Sequence, residues 1–247
     1  MKSCHLVQQP TSEDVAVAAR DWFVERCADA IAARGKCIVA LSGGSTPKRL
    51  YELLSEVEEG VIDWAKVHLF WGDERDVPAN HADSNYRMVR EALLNRLTTK
   101  KPTVYRIPTG QQPVERAARE YELKMREFAC GAPFHFDVVF LGLGDDAHTA
   151  SLFPETLALT ITDRWVVANQ VPKLSTNRVT LTAPILNSAR HVAFLVCGAN
   201  KQWAIDKIQG ATRNPALYPA QLIQPEGQLW WFTDESLKMP SQVLAQR

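Results

Sequence analysis

Four short runs of almost unbroken apolar character, at 37–41, 67–71, 137–141 and 192–196, recur along this 247-residue chain. A strand that is apolar at every position has no face left for water, so it must be covered on both sides. Between the runs lie longer segments with apolar residues at helical spacing. The first is the clearest. Thr11 or Ser12 can cap it, Glu13 and Asp14 sit in its first turn, and Val15, Ala19, Trp22, Phe23, Ala30 and Ile31 repeat down one side until Gly35 stops it. Further helices are predicted from Pro47 through Leu54 and over 85–97, 113–128 and 201–208. Weaker strands are predicted at 165–168, 178–181 and 229–232. Strands alternating with helices predict an α/β fold: a Rossmann-like, mostly parallel sheet with helices on both faces, built as a single domain over residues 1–247.

Bulk properties narrow the function. There are 28 basic and 28 acidic residues, a formal net charge of zero. No excess of positive charge draws the chain to nucleic acid or an anionic membrane. Five cysteines, an odd number without a C-x-x-C pair, argue against a disulfide framework and fit a reducing compartment. The first residues lack the apolar core of a signal peptide, and no run approaches the length that spans a bilayer. The expectation is a cytoplasmic protein with neither nucleic acid nor membrane as partner, and a monomer by default. His5, His68, His81, His135 and His191 show no metal-ligand spacing, so neither metal nor cofactor is expected.

In parallel sheets the ligand lies beyond the carboxyl ends of the strands, so the residues just past each apolar run are the candidates for a site. After the first run comes Ser42-Gly43-Gly44-Ser45-Thr46-Pro47. The glycines admit close approach to backbone N–H groups, Ser45 and Thr46 add hydroxyls, and the next helix offers the positive end of its dipole. That is an anion cradle, or else a capped tight turn; it is not a P-loop. After the second run comes Gly72-Asp73-Glu74-Arg75-Asp76, whose four charged residues suit a polar site or else a solvated loop. After the third comes Gly142-Leu143-Gly144-Asp145-Asp146-Ala147-His148. Its glycine spacing imitates a dinucleotide fingerprint, but two carboxylates stand where a pyrophosphate would need bare N–H groups. Asp146 beside His148 suggests a carboxylate that orients a general base, since imidazole ordinarily titrates near ~6.5. Arg178 and Lys201, on and after later strands, are the candidate cations for an anionic ligand.

Four stretches, LSGGSTPKRLYELL, VHLFWGDERDVPANHADSNYRMVREALL, FDVVFLGLGDDAHTASLFP and RVTLTAPILNSARHVAFLVCGANK, resemble the 6-phosphogluconolactonase family in order and spacing. The resemblance implies the fold shared with glucosamine-6-phosphate deaminases. It also implies hydrolysis of a phosphorylated sugar lactone, 6-phospho-D-glucono-1,5-lactone, in the pentose phosphate pathway. On that reading His148, Asp146 and Asp73 are catalytic. Ser42, Gly43, Gly44, Ser45, Thr46, Arg178 and Lys201 hold the phosphate, and Arg75 faces the substrate. One departure stands out: Ala147 occupies a position where the family often has glycine, at a cost if the backbone there needs positive φ. The alternatives are a glucosamine-6-phosphate deaminase/isomerase, for which the 149–153 segment lacks the further acid of an Asp-His-Glu relay, and a non-catalytic sugar-phosphate sensor.

Overall fold

The computed structural model describes residues 4–210 and 212–239. Residues 240–247 of the C-terminal tail, whose order the sequence leaves open, lie outside the described residues. The main sheet has seven parallel strands. They are β1 (Cys4–Gln9), β2 (Cys37–Leu41), β3 (Val67–Trp71), β5 (Thr103–Tyr105), β6 (Val138–Leu141), β9 (His191–Val196) and β10 (Gln228–Asp234). In space they lie in the order β1-β10-β9-β6-β2-β3-β5. The four apolar runs are four of these strands, each flanked on both sides.

Aromatic side chains show which helix covers which face. Phe140, Trp230 and Phe232 meet Trp22 of α1 (Ser12–Arg34), and Phe140 also meets Tyr51 of α2 (Ser45–Ser55). On the opposite face Phe70 packs against Tyr121 and Phe128 of α4 (Val114–Ala129). The first helix has the predicted ends. Thr11 accepts a hydrogen bond from the Asp14 N–H, and Gly35 closes the helix at φ +74°.

The structure adds elements that the sequence does not announce. Strands β1 and β5 carry no clear sequence signal: one is a half-exposed edge, the other three residues long. The segment after β3 is not a loop. Residues Asp73–Arg75 form β4, which pairs antiparallel with β8 (Thr176–Leu181), itself paired with β7 (Val166–Val171). The three make a separate small sheet. Gly72 joins the two sheets: its N–H reaches Leu41 O and its carbonyl accepts from Leu181, both at 2.8 Å. The helix predicted over 85–97 is α3 (Asn85–Val89) and then a π-helical turn, Arg90–Leu94. The helix predicted over 201–208 is α6 (Gln202–Gln209) after one 3-10 turn. α5 (Ala183–Asn187) links β8 to β9.

Asp137, just before β6, fastens the far end of the sheet. Its buried carboxylate takes Ile38 N–H at 2.8 Å, Arg34 at 2.7 and 3.0 Å, and Arg190 at 3.4 Å. Asp137→Ala strands a buried N–H and removes charged hydrogen bonds, so a loss of about 2–3 kcal/mol is expected. Thermal melting should show a Tm about 5–10 °C lower, with activity per folded molecule unchanged because this end is remote from the site.

Candidate active site

The carboxyl ends of β2, β3 and β6 meet through the residues just beyond them. A methyl group on Gly43 would lie 2.0 Å from Asn85 Oδ1, so only glycine lets the cradle approach that side chain. Asn85 Nδ2 donates to Asp73 O at 3.0 Å. Asp73 Oδ2 accepts from Ser151 Oγ at 2.6 Å, and Thr149 Oγ1 donates to Gly142 O at 2.8 Å. Loops 42–47 and 142–151 and strand β4 therefore share one buried network, and Ser45 and His148 lie on the same end of the molecule.

His148 is the candidate base. Its Nδ1 contacts Asp146 Oδ1 at 2.5 Å, and its ring stacks on Phe153 with centroids 4.0 Å apart. With Nδ1–H donating to the carboxylate, Nε2 carries the free lone pair. Lys173 Nζ meets the other oxygen, Asp146 Oδ2, at 2.9 Å. Partial burial works against the ionised Asp146 carboxyl, but the hydrogen bonds from His148 and Lys173 outweigh it and hold the group well below its ordinary value. The carboxylate therefore stays charged through the range in which an imidazole works.

The loop is tightly wound. Ala147, Ala150 and Glu155 all have positive φ, +63°, +48° and +60°. Ala147 thus sits in the left-handed region where the family often has glycine, with strain of about 1–2 kcal/mol relative to that residue. Compensation is local. Ala147 N–H bonds Gly144 O, its carbonyl accepts from Ala220, and its side chain is buried. Strain of this kind collects at functional sites.

The cations approach from the small sheet and from the end of β9. Arg178 and Arg75 are direct partners across the β4–β8 ladder, where like charges repel. Burial, and then the facing Arg75, push the Arg178 guanidinium down from its ordinary value, though an arginine keeps its charge. Arg178 Nε is buried without a partner, as is Ser42 Oγ in the cradle. Arg75 donates to Asp83 O. Lys201 is not free: its Nζ is engaged by Asp145, which also takes Asn200 Nδ2 at 3.1 Å. The two acids that excluded a dinucleotide are thus spent on Lys201 and on His148.

The helix after the cradle begins at Ser45, two residues before the expected Pro47, with Gly44 at φ +110° and no side chain capping it. Ser45 and Thr46 line a hollow of about 310 Å³ with Cys197 and Gly198. Arg49 lines it too but is tied to Glu13 by two-pronged contacts of 2.7 and 2.8 Å.

Residues that sequence reasoning did not single out also belong here: Asn85, Ser151, Phe153, Lys173 and Glu74. Glu74 is structural. It accepts the N–H groups of Arg75, Asn85 and Tyr86 and the Ser84 hydroxyl at 2.8–3.1 Å, pinning the start of α3. Burial raises its carboxyl above the ordinary range even against those donors.

A carboxylate-held histidine just beyond a parallel strand, on a loop bonded to a small sheet that carries two paired arginines, is a layout suited to a base-assisted enzyme with an anionic substrate. The model of the glucosamine-6-phosphate isomerases/6-phosphogluconolactonase family matches residues 10–231, and the chain belongs to that family. Among curated relatives, 6-phosphogluconolactonase of Synechocystis is 45% identical over 213 residues, covering 85% of this chain and 87% of its own. The Nostoc 6-phosphogluconolactonase is 40% identical over 227 residues, 90% of this chain and 92% of its own. Among solved structures, 6-phosphogluconolactonase from Trypanosoma brucei superposes with a TM-score of 0.83 at 28% identity, covering 96% of this chain and 98% of that one.

Proposed function

We propose that the chain hydrolyses 6-phospho-D-glucono-1,5-lactone to 6-phosphogluconate, working as one domain in the cytoplasm. The observation that carries the chemistry is the His148–Asp146 contact, which leaves Nε2 as the base. Nε2 takes a proton from water as the oxygen attacks C1 of the lactone. The tetrahedral intermediate collapses with cleavage of the C1–ring-oxygen bond, and the imidazolium returns a proton to the departing oxygen. A lactone is an activated ester, so no covalent nucleophile is required. The Ser42–Thr46 cradle, Arg178 and Lys201 take the phosphate, and Arg75 faces the same substrate. Asp73, held by Ser151 and Asn85, positions a sugar hydroxyl or the water. The five cysteines, all free thiols, suit a reducing compartment, and among the described residues no helix is long and apolar enough to cross a membrane.

The deaminase chemistry of the same family is less well supported, because Thr149, Ala150 and Ser151 come after His148 where an additional acid would be needed. A non-catalytic sensor is separated by turnover of the lactone, measured by pH-stat above its spontaneous hydrolysis.

The phosphate assignment is tested by comparing the phosphorylated lactone with plain gluconolactone. Arg178→Ala removes a charged hydrogen bond of about 1.5–3 kcal/mol, so kcat/KM should fall roughly 10- to 150-fold on the phosphorylated substrate. The plain lactone, which never used the contact, should be hydrolysed nearly as before. Equal losses on both substrates count against the assignment. Lys201→Ala should show the same preference with a smaller loss, since Asp145 already competes for its ammonium.

A further inference from the structure

Lys173 lies in the tight turn Pro172–Leu174 between β7 and β8, 27 residues beyond the carboxylate it meets. Its side chain is 69% exposed, whereas that of Asp146 is 21% exposed. An ion pair so open to water contributes little to stability. Its geometry is nevertheless specific. Asp146 Oδ1 is taken by His148 Nδ1 and, at 3.3 Å, by the His148 N–H; Lys173 takes Oδ2. With both oxygens engaged from opposite sides, the carboxylate plane cannot turn, and the imidazole is held at one angle against Phe153.

The turn that carries Lys173 is the end of the β7–β8 hairpin, and β8 carries Arg178 five residues further on. On the same hairpin Asn169, the ladder partner of Arg178, donates to Ser151 O at 2.8 Å. The hairpin thus touches the histidine loop at two points, Asp146 and Ser151, and carries the arginine level with the second of them. We infer that Lys173 is a positioning residue for the histidine base: it locks Asp146 from the hairpin that also bears Arg178, and so ties the orientation of the base to the strand that holds the substrate's anionic group. The inference rests on the reading of His148 as the base.

The groups facing His148 define what removal of Lys173 does. Asp146 and Asp145 are on its own loop, Lys173 comes from the hairpin, Lys201 from the end of β9 is already paired with Asp145, and Phe153 is neutral. Taking away the Lys173 charge leaves the negative Asp146 unopposed, which favours imidazolium. The acid limb of the rate profile must then move to higher pH, while the freed carboxylate lowers kcat through poorer orientation.

The experiment compares wild type, Lys173→Met, Lys173→Arg and His148→Ala on the phosphorylated lactone across pH. Met keeps the length of the stem without the charge. The expected result for Lys173→Met is a kcat about 3- to 30-fold lower, an acid limb moved upward by several tenths of a pH unit, little change in KM, and a melting temperature within about 4 °C of wild type. Lys173→Arg restores both rate and profile. Wild-type kcat with an unmoved profile in Lys173→Met overturns the inference. So does a loss confined to KM, which would make Lys173 a substrate contact, and so does a loss that arginine fails to restore. If instead His148→Ala retains wild-type turnover, the base assignment fails, independently of how Lys173→Met behaves.

Discussion

Replacing His148 with alanine is expected to lower kcat for the phosphorylated lactone by about 10²–10⁴-fold, the usual share of general-base catalysis. Substrate affinity should change far less, because the cradle and Arg178 are untouched. The protein should stay folded, since the ring contributes a partly exposed stack on Phe153 and one bond to a loop carboxylate. His148→Gln adds a separate test: an amide can hydrogen-bond to water but cannot take its proton. Recovery of rate in the glutamine variant would mean that orientation of water, rather than proton removal, is what the imidazole supplies. Near-normal rates in a folded alanine variant would remove His148 from the mechanism.

The second large effect comes from one methyl group. A Cβ built on Gly144 falls 2.0 Å from His148 Nδ1 and 2.1 Å from Cε1, distances that non-bonded atoms do not reach. Gly144 does not need a left-handed backbone, so Gly144→Ala does not strain the chain itself. Relief comes from swinging the imidazole away, which breaks the bond to Asp146 and unstacks it from Phe153. Displacement of a reacting group by an ångström costs on the order of 10²-fold, so kcat should fall by that much with a modest change in Tm. A variant with wild-type kcat would show that the ring works from another orientation. Because the swing also takes the imidazole away from the Asp146 carboxylate, the acid limb of the residual activity should move to lower pH, opposite in direction to Lys173→Met.

Burial decides how much of the fold is legible in the sequence. Strands covered on both faces leave an apolar run with no alternation, and 37–41, 67–71, 137–141 and 192–196 are visible for that reason. Cap chemistry is local, so Thr11 and Gly35 are visible too. The small sheet is only half visible. β7 and β8 give apolar signals, but β4 is Asp73-Glu74-Arg75, three charged residues whose side chains serve the site and a helix start rather than a core. A strand made of functional residues carries no strand pattern. Likewise Arg90–Leu94 reads as ordinary helix, because an extra residue in one turn leaves no trace in composition. In the site, His148 and Asp146 are close in sequence, and their pairing can be inferred from spacing. Ser151 and Asn85 acquire meaning only through Asp73, which the fold brings to them from 78 and 12 positions away. Lys173, an exposed lysine in a turn, has no sequence signature at all.

The pairing of β1 with β10 decides where the chain can be handled. The two run parallel, Cys4 beside Leu229 and Gln9 beside Asp234, so Cys4 lies at the end of the sheet away from the site and Asp234 at the site end, about 17 Å apart at the usual rise per residue. Asp234 even receives the Gly198 N–H beside the hollow lined by Ser45 and Thr46. A surface anchor or fused partner joined directly ahead of Cys4 therefore leaves from the end of the sheet opposite the site, whereas one joined directly after Asp234 leaves from the site's own end. A loop meant to join the two ends must climb the full height of the sheet rather than turn a corner. The same pairing sets an order within this domain: β1 has no neighbour in the sheet until β10, more than 200 residues later, has been made.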